Sequence, residues 1–589
     1  MKRLCSFLSF ILILVGCGGP SAKLNRFFEK SFEAYKERHP QFQTYIGLKT
    51  NYDKLDDNTD EKSLKEIEIA KEELKKLLTF PVEKFSGAEL DSYLIYKLSL
   101  EDKIAMEPFV YHDYPINQMF GEHADLPSFL INIHQVESED DAHAYVKRLA
   151  GIATNLKNVL VKLEVRKQKK ILAPKFVYSM AISDCQNLIS GQPLSKGKTN
   201  TFYEDLEAKL VKLNITQEKR IKIMQDLFNT LNGQVKPVYL QLISKLKELE
   251  KVAPVDIGVW KLPDGEKYYN QLLKIYTTTN MTAEEIHQLG LKEMERIHQE
   301  MSELKKVLGF EKMTLKDFFK RVRTTDMFKY PNTDQGREQA LKDSERYIAD
   351  LKKRLPEMIG LKPKADIIVK RVEPYREASA GFAFYEGPSQ DGKRPGIFYI
   401  NLFNMTQVMK SEIEALAYHE GIPGHHMQIT LAQELEGLPE FRKHSDFTAF
   451  IEGWGLYAEW LPKSLGFYQD PINDFGRLSM ELWRAARLVT DTGIHSKRWS
   501  LDKAVKYLDD NTPSPHGENI NAIKRYAVLP GQATAYKIGM LKIQELKKLA
   551  ETELGAKFKL TEFHDQVIKD GAMPLDLLDS KIKAWIKTK

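Results

Sequence analysis

The sequence predicts a mainly α-helical protein with one small β-sheet, and two observations carry that reading. From Leu24 to about Leu361, apolar residues recur at helical spacing: Phe27, Phe28, Phe32 and Tyr35 in one stretch, Ile67, Ala70, Leu74 and Leu77-Leu78 in another. Between Ala365 and Asn401 the texture changes to short β-branched and aromatic runs. Breakers at Asp56 to Thr59, Gly191 to Gly197 and Lys261 to Gly265 divide the helices into groups. With no internal repeat and no low-complexity linker, residues 24–589 read as a single large helical unit with two lobes. Its 24–364 part is mainly helical, and its 365–589 part holds the sheet and the helices that follow.

Each later element has its own signal. Ile367-Ile368-Val369 with Val372, Gly381 to Tyr385, and Gly396 to Asn401 read as three strands, with a turn through Ser389-Gln390-Asp391-Gly392. Ser411, with Glu414 three residues on, has the form of a capping box opening a helix whose buried stripe is Ile413, Leu416 and Ala417. Phe447 to Leu461 is apolar nearly all round, the mark of a buried helix. Two acids, Glu452 and Glu459, interrupt it on one face. Gly453 and Gly455 each weaken a helix interior by about 1 kcal/mol, which suggests that another helix passes close by.

The first residues supply an address. Lys2 and Arg3 precede an apolar run, Leu4 to Val15, too short to span a bilayer as a helix. It ends in Leu14-Val15-Gly16-Cys17, which resembles the lipobox of bacterial lipoproteins. That resemblance implies a signal peptide over 1–16, acylation of Cys17, a tether over 17–23 and, with Gly18 next, the outer membrane of the cell envelope. A doubly acylated residue is a stable anchor. Only Cys185 then remains, so no intramolecular disulfide is available and a buried free thiol is expected. Lysine plus arginine is 87 against 82 acids, close to neutral, with no basic block suited to nucleic acid.

Function rests on Leu416 to Gln428, which reads Leu-Ala-Tyr-His-Glu-Gly-Ile-Pro-Gly-His-His-Met-Gln. In a His-Glu-x-x-His zinc helix the histidines lie one turn apart and the glutamate is the general base. Here the next histidines come six and seven residues after His419. On an intact helix the sixth residue lies about 240° round and the seventh about 10 Å further along. Pro423 distorts the helix, and a two-residue bulge through Ile422-Pro423, permitted by Gly424, brings His425 toward the second ligand position. The plain alternative is a helix ending at Gly421 followed by two surface histidines. Glu452, on a buried helix where a bare carboxylate costs several kcal/mol, would complete a site of two nitrogens and one oxygen with the fourth position open.

His-Glu-x-x-Pro-Gly-His-His-x-Gln from His419, Glu-Gly-Trp-x-x-Tyr from Glu452, and Gly-Gln-Ala-x-x-Tyr-Lys-x-Gly from Gly531 together resemble the DUF885 family of bacterial secreted proteins and lipoproteins. The resemblance extends over His39-Pro40 to Gly47, Tyr114-Pro115 to Gly121 and Gly571 to Leu575. It implies a distant relation to gluzincin, thimet-oligopeptidase-like metallopeptidases: a zincin-like helical fold, two lobes around a cleft, and the sheet next to the metal site. His419, His425 and Glu452 are then ligands of one Zn²⁺, with His426 as the alternative ligand, and Glu420 is the base. Gly531 to Tyr536 repeats a glycine-to-tyrosine spacing that, in those relatives, supplies an oxyanion donor. Tyr536 is the first choice for that role and Tyr526 the second.

The third strand, through Gly396, Phe398 and Tyr399, is expected to offer a substrate backbone its edge, and Arg525 is a further substrate contact. Arg484, Arg487, Asp491 and His495 recur on one helical face and read as an ion network with a role in gripping a substrate terminus. The expected function is zinc-dependent hydrolysis of short peptides by an envelope-anchored lipoprotein. Two alternatives stand beside it: a non-catalytic peptide- or partner-binding lipoprotein with a degenerate metal site, and a zinc amidase acting on cell-wall material.

Overall fold

The computed structural model describes residues 19–372, 377, 381–388 and 394–589. Cys17 and the turn through residues 389–392 lie outside them. Among the longer helices of the chain's first part are α1 (Pro20–Arg38), α2 (Asp60–Leu77), α3 (Glu139–Gln168), α4 (Lys236–Val252), α5 (Gly265–Thr277), α6 (Ala283–Val307) and α7 (Asp334–Arg354). A sheet follows, β1 (Ile367–Arg371), β2 (Ala383–Glu386) and β3 (Gly396–Ile400). Then come α8 (Ile413–Glu420), α9 (His425–Gln433), α10 (Thr448–Trp460), α11 (Pro471–His495), α12 (His516–Val528) and α13 (Ala535–Leu554). The chain is thus mainly helical with a small three-stranded sheet, as expected, and Cys185 is a buried free thiol.

Apolar side chains gather into three main cores. The largest joins α3, α4 and α5 through Tyr145, Leu156, Tyr239, Leu246, Tyr269 and Leu273. A second lies under the sheet, where Phe398 and Ile400 meet Leu416 of α8, Trp454 of α10 and Met540 of α13. The third packs α6 on α11 through Met294, Ile297, Phe475 and Leu478. Helix α11 is buried over nearly its whole length. Gly290 lets α6 approach it, since a Cβ there would lie 2.7 Å from Leu488 Cβ and 2.8 Å from Val489 Cγ2. The fully buried Lys537 of α13 ties the frame together, 2.6 Å from Glu481 of α11 and 3.1 Å from Glu293 of α6. Arg296 also pairs with both acids.

Two sequence expectations change here. Strand β3 is central, parallel to β1 and antiparallel to β2, and all five of its residues are buried. Its backbone is committed on both sides, so Gly396, Phe398 and Tyr399 offer no edge to a substrate. The order along the chain suggested a strand beside the site, but pairing is long-range and put β3 in the middle. Ser411 caps nothing either. It lies in a 3₁₀ turn, Lys410–Glu412, and its carbonyl is packed against Gly476 of α11, where a Cβ would lie 1.7 Å away. Glu414 instead accepts hydrogen bonds from Tyr418 (2.9 Å), Asn473 (2.7 Å) and the Tyr468 amide (3.1 Å).

Helix α10 follows the expected span closely. Gly453 has the expected reason, because α13 crosses there at Gly539: a Cβ on Gly539 would lie 1.8 Å from the Ala449 carbonyl oxygen and 2.7 Å from Gly453 Cα. Both obstacles are backbone, so Gly539→Ala must separate the helices and should cost about 2–3 kcal/mol in denaturant unfolding. Gly233→Ala, inside a helical segment and with nothing within 4 Å of the added carbon, should instead raise stability slightly, by about 0.5–1 kcal/mol.

Candidate metal centre

The interrupted histidine motif folds as two helices rather than one bulged helix. Helix α8 stops at Glu420, residues 421–424 form a turn with a cis Ile422–Pro423 bond, and α9 starts at His425. The Trp454 indole N–H of α10 donates to the Pro423 carbonyl (2.8 Å), and the Gly424 amide to the Tyr418 carbonyl (3.0 Å). Gly424 is needed for that approach: a Cβ would lie 1.9 Å from the His419 carbonyl oxygen. The break therefore keeps the two imidazoles together. Their ring centroids are 4.6 Å apart and their planes are at 85°.

Glu452 closes the cluster. Its Oε2 lies 3.6 Å from His419 Nε2 and 3.5 Å from His425 Nε2, and the three donor atoms all fall within 4.8 Å of one another. Donors about 2.0–2.1 Å from a tetrahedral zinc are separated by about 3.4 Å, so the two measured edges fit such an ion to within a few tenths of an ångström. Gly455 makes the space for the rings. A Cβ there would lie 2.8 Å from His419 Cε1 and 3.1 Å from His425 Cε1. This glycine serves the histidines, while Gly453 alone serves the helix crossing.

Behind the cluster, Glu459 Oε1 lies 2.7 Å from His419 Nδ1, with both side chains buried. A carboxylate on the far nitrogen fixes an imidazole's orientation and raises its basicity as a ligand. Gln428 Nε2 lies 2.8 Å from His425 Nδ1 and 2.8 Å from the Ile451 carbonyl oxygen. The electrostatics favour positive charge. Burial lowers the His419 pKa, but Glu452 and Glu459 outweigh it and raise the value to about 10. Burial likewise opposes ionisation of Glu452, yet the two imidazoles hold its pKa well below the usual carboxylate range. Glu420 is buried beside them, its pKa raised by desolvation against the pull of His419 and His425.

His426 is directed elsewhere. Its Nδ1 lies 2.9 Å from the Tyr385 hydroxyl and 3.3 Å from Thr430 Oγ1, and burial lowers its pKa to about 4. Gly396 gives this contact room, since a Cβ would come within 2.3 Å of the Tyr385 hydroxyl. Of the two histidines, His425 is the one that faces Glu452.

The C-terminal residues meet around α11 and α13. Tyr536 lies in the first turn of α13, one turn before the Gly539 crossing. Gln532 donates to its hydroxyl oxygen (3.3 Å) and accepts from Arg525 (2.9 Å), which leaves the phenolic proton undirected. Arg525 is thus engaged with Gln532. Tyr526 is buried in the third core, and its carbonyl accepts from His495 Nε2 (2.9 Å). The expected ion network on α11 separates into two parts. Asp491 accepts from Tyr269 (2.6 Å) and from the Gly531 amide (3.1 Å), with burial raising its pKa to about 7. His495 Nδ1 accepts from the Val259 amide (3.1 Å), and burial lowers its pKa to about 3. These two are structural hydrogen-bonding residues. Arg484 lies 3.7 Å from Glu459, and Arg487 lies over the Tyr536 ring.

The sequence reading missed the partnership of Glu459 with His419. The signal was present, because a second acid seven residues after Glu452 on a buried face also needs a partner. Comparison with known proteins agrees with the fold. A crystal structure of a "putative lipoprotein" from Colwellia psychrerythraea is 27% identical, with a TM-score of 0.91 over 97% of this chain and 100% of that one. A "putative lipoprotein of unknown function" from Shewanella oneidensis is 16% identical, with a TM-score of 0.72 over 95% and 99% of the two chains, and shares the fold. No curated protein matches. The family model described as "Bacterial protein of unknown function (DUF885)" matches residues 40–582, and the chain belongs to that family.

Proposed function

We propose that this protein is a zinc-dependent, lipid-anchored peptidase of the bacterial cell envelope that hydrolyses short peptides, a distant relative of the gluzincins. The observation that carries the reading is the His419–His425–Glu452 cluster, its histidines buried and its carboxylate partly exposed, backed by Glu459 and flanked by Glu420. Bound there, zinc would supply a Lewis acid that polarises the scissile carbonyl and makes water acidic. Glu420, adjacent in sequence to His419, takes the proton from the attacking water and delivers it to the leaving amine. The free hydroxyl proton of Tyr536 is available to the carbonyl oxygen as it gains charge. Narrow access favours short, flexible substrates: the Glu452 side chain is 22% exposed, those of His419 and His425 4% and 10%. The lipid anchor is supported by the lipobox at Cys17 and by the description of the Colwellia relative as a "putative lipoprotein". Among the described residues no helix is long and apolar enough to cross a membrane.

Metal analysis of the purified protein should find about one zinc per chain, lost in His419→Ala and Glu452→Ala. Digestion of a mixed peptide library should then fall roughly 10²–10⁴-fold in Glu420→Gln with zinc retained. Tyr536→Phe should lower kcat about 10²–10³-fold with little change in KM. Cleavage that survives Glu420→Gln would sink the mechanism, and turnover of cell-wall fragments alone would favour the amidase. Gly455→Ala should weaken zinc binding about tenfold or more in chelator competition while leaving the fold intact, because the added methyl meets both imidazoles. Cys17→Ser should move the protein from the detergent phase to the aqueous phase on phase partitioning.

A further inference from the structure

Arg487 is a buried arginine without an anion. It is 6% exposed, and its guanidinium carbon lies 4.7 Å from the Trp483 ring centroid and 4.6 Å from that of Tyr536. Among the described residues no carboxylate comes within ion-pair distance of it, and its Nε is buried with no hydrogen-bond partner. Arg442 and Arg484 share the unpartnered Nε, but the other deeply buried arginines each have a carboxylate, carbonyl or hydroxyl partner for the guanidinium. Arg166 is held by Asp60 and Asp113, and Arg477 by Asp474. Arg148 has the Lys54 carbonyl and Thr44, and Arg442 has Ser92 and the Asp570 carbonyl. Even Arg484, one turn earlier on α11, is drawn to Glu459.

A cation taken out of water without an anion is costly; the two rings hold the guanidinium flat, and the Tyr536 hydroxyl gives it a neutral acceptor but no carboxylate. Burial opposes its charge, while Tyr526, Tyr536 and Glu452 favour it, and by geometry it lies against the ring of the proposed oxyanion donor. A planar fork wants two oxygens in one plane, which a carboxylate provides. A single guanidinium matches a monoanion better than a phosphate dianion. We propose that Arg487, clamped between Trp483 and Tyr536, receives the C-terminal carboxylate of the substrate, so that the enzyme works at peptide C-termini and on very short peptides rather than within long chains. This inference rests on reading the centre as peptide-processing.

The test compares a pool of tripeptides with free C-termini against the same pool as C-terminal amides. Both are offered to zinc-loaded Glu420→Gln protein, and retention is measured by mass spectrometry. Free acids should be retained about 10–100-fold over amides. Adding Arg487→Gln should abolish that preference with zinc content unchanged. Arg487→Lys keeps the charge without the fork, and should reduce the preference about tenfold if the glutamine variant does not fold. Equal retention of acids and amides, no retention of either, or a preference that survives both substitutions would each overturn the proposal. Turnover of the same pools by protein with Glu420 intact reports separately on hydrolysis: acids held through Arg487 but never cut would end the peptidase reading and leave the anchor standing.

Discussion

Two carboxylates on one face of an apolar helix set the constraint around which this site is built. Glu452 and Glu459 sit on α10 among Phe450, Trp454 and Tyr457, where an unanswered charge would oppose folding. Glu459 is answered by His419 from α8, and Glu452 by His419 and His425 together. Helix α9 must therefore begin where α8 ends. The Pro423–Gly424 turn accomplishes this, and Trp454, from α10 itself, holds the turn by its carbonyl. The same helix thus carries the charges, makes space at Gly455 for the rings that meet them, and fixes the loop that delivers the second ring.

The frame behind α10 is as tightly determined. Helix α13 crosses it glycine to glycine at Gly453 and Gly539, and Lys537, next to Tyr536, is locked into the carboxylates of Glu481 and Glu293. A buried ion pair is weak evidence for stability, but it penalises any other register strongly, because misplacement strands a charge. Tyr536 therefore has little freedom. Its phenol is held between Gln532 and the guanidinium of Arg487.

The sheet has a supporting role. Strand β3 lies between two partners, with Phe398 and Ile400 in the core beneath α8 and Ile397 and Tyr399 on the opposite face. Its contribution to the centre is indirect: Gly396 admits the Tyr385–His426 contact, which holds His426 away from the cluster and leaves His425 to face Glu452.

Much was legible before folding was considered. Helical periodicity, the three strands, the buried character of α10, and the grouping of His419, Glu420, His425 and Glu452 follow from local pattern and from the cost of burying charge, both of which are written in neighbouring residues. The pairing order of the sheet, the break between α8 and α9, the distinction between His425 and His426, and the union of Glu459 with His419 were decided by tertiary structure. Each depends on which surfaces meet across forty residues or on a neighbouring helix, and spacing along the chain does not encode that. The expectation for Ser411 failed for the same reason: its local signal favoured a cap, and α11 took its carbonyl for packing. The sequence by itself determined which chemical groups had to be reconciled in the interior, and the packed fold decided which of them meet, because only close contact within a low-dielectric core selects one partner for each buried charge.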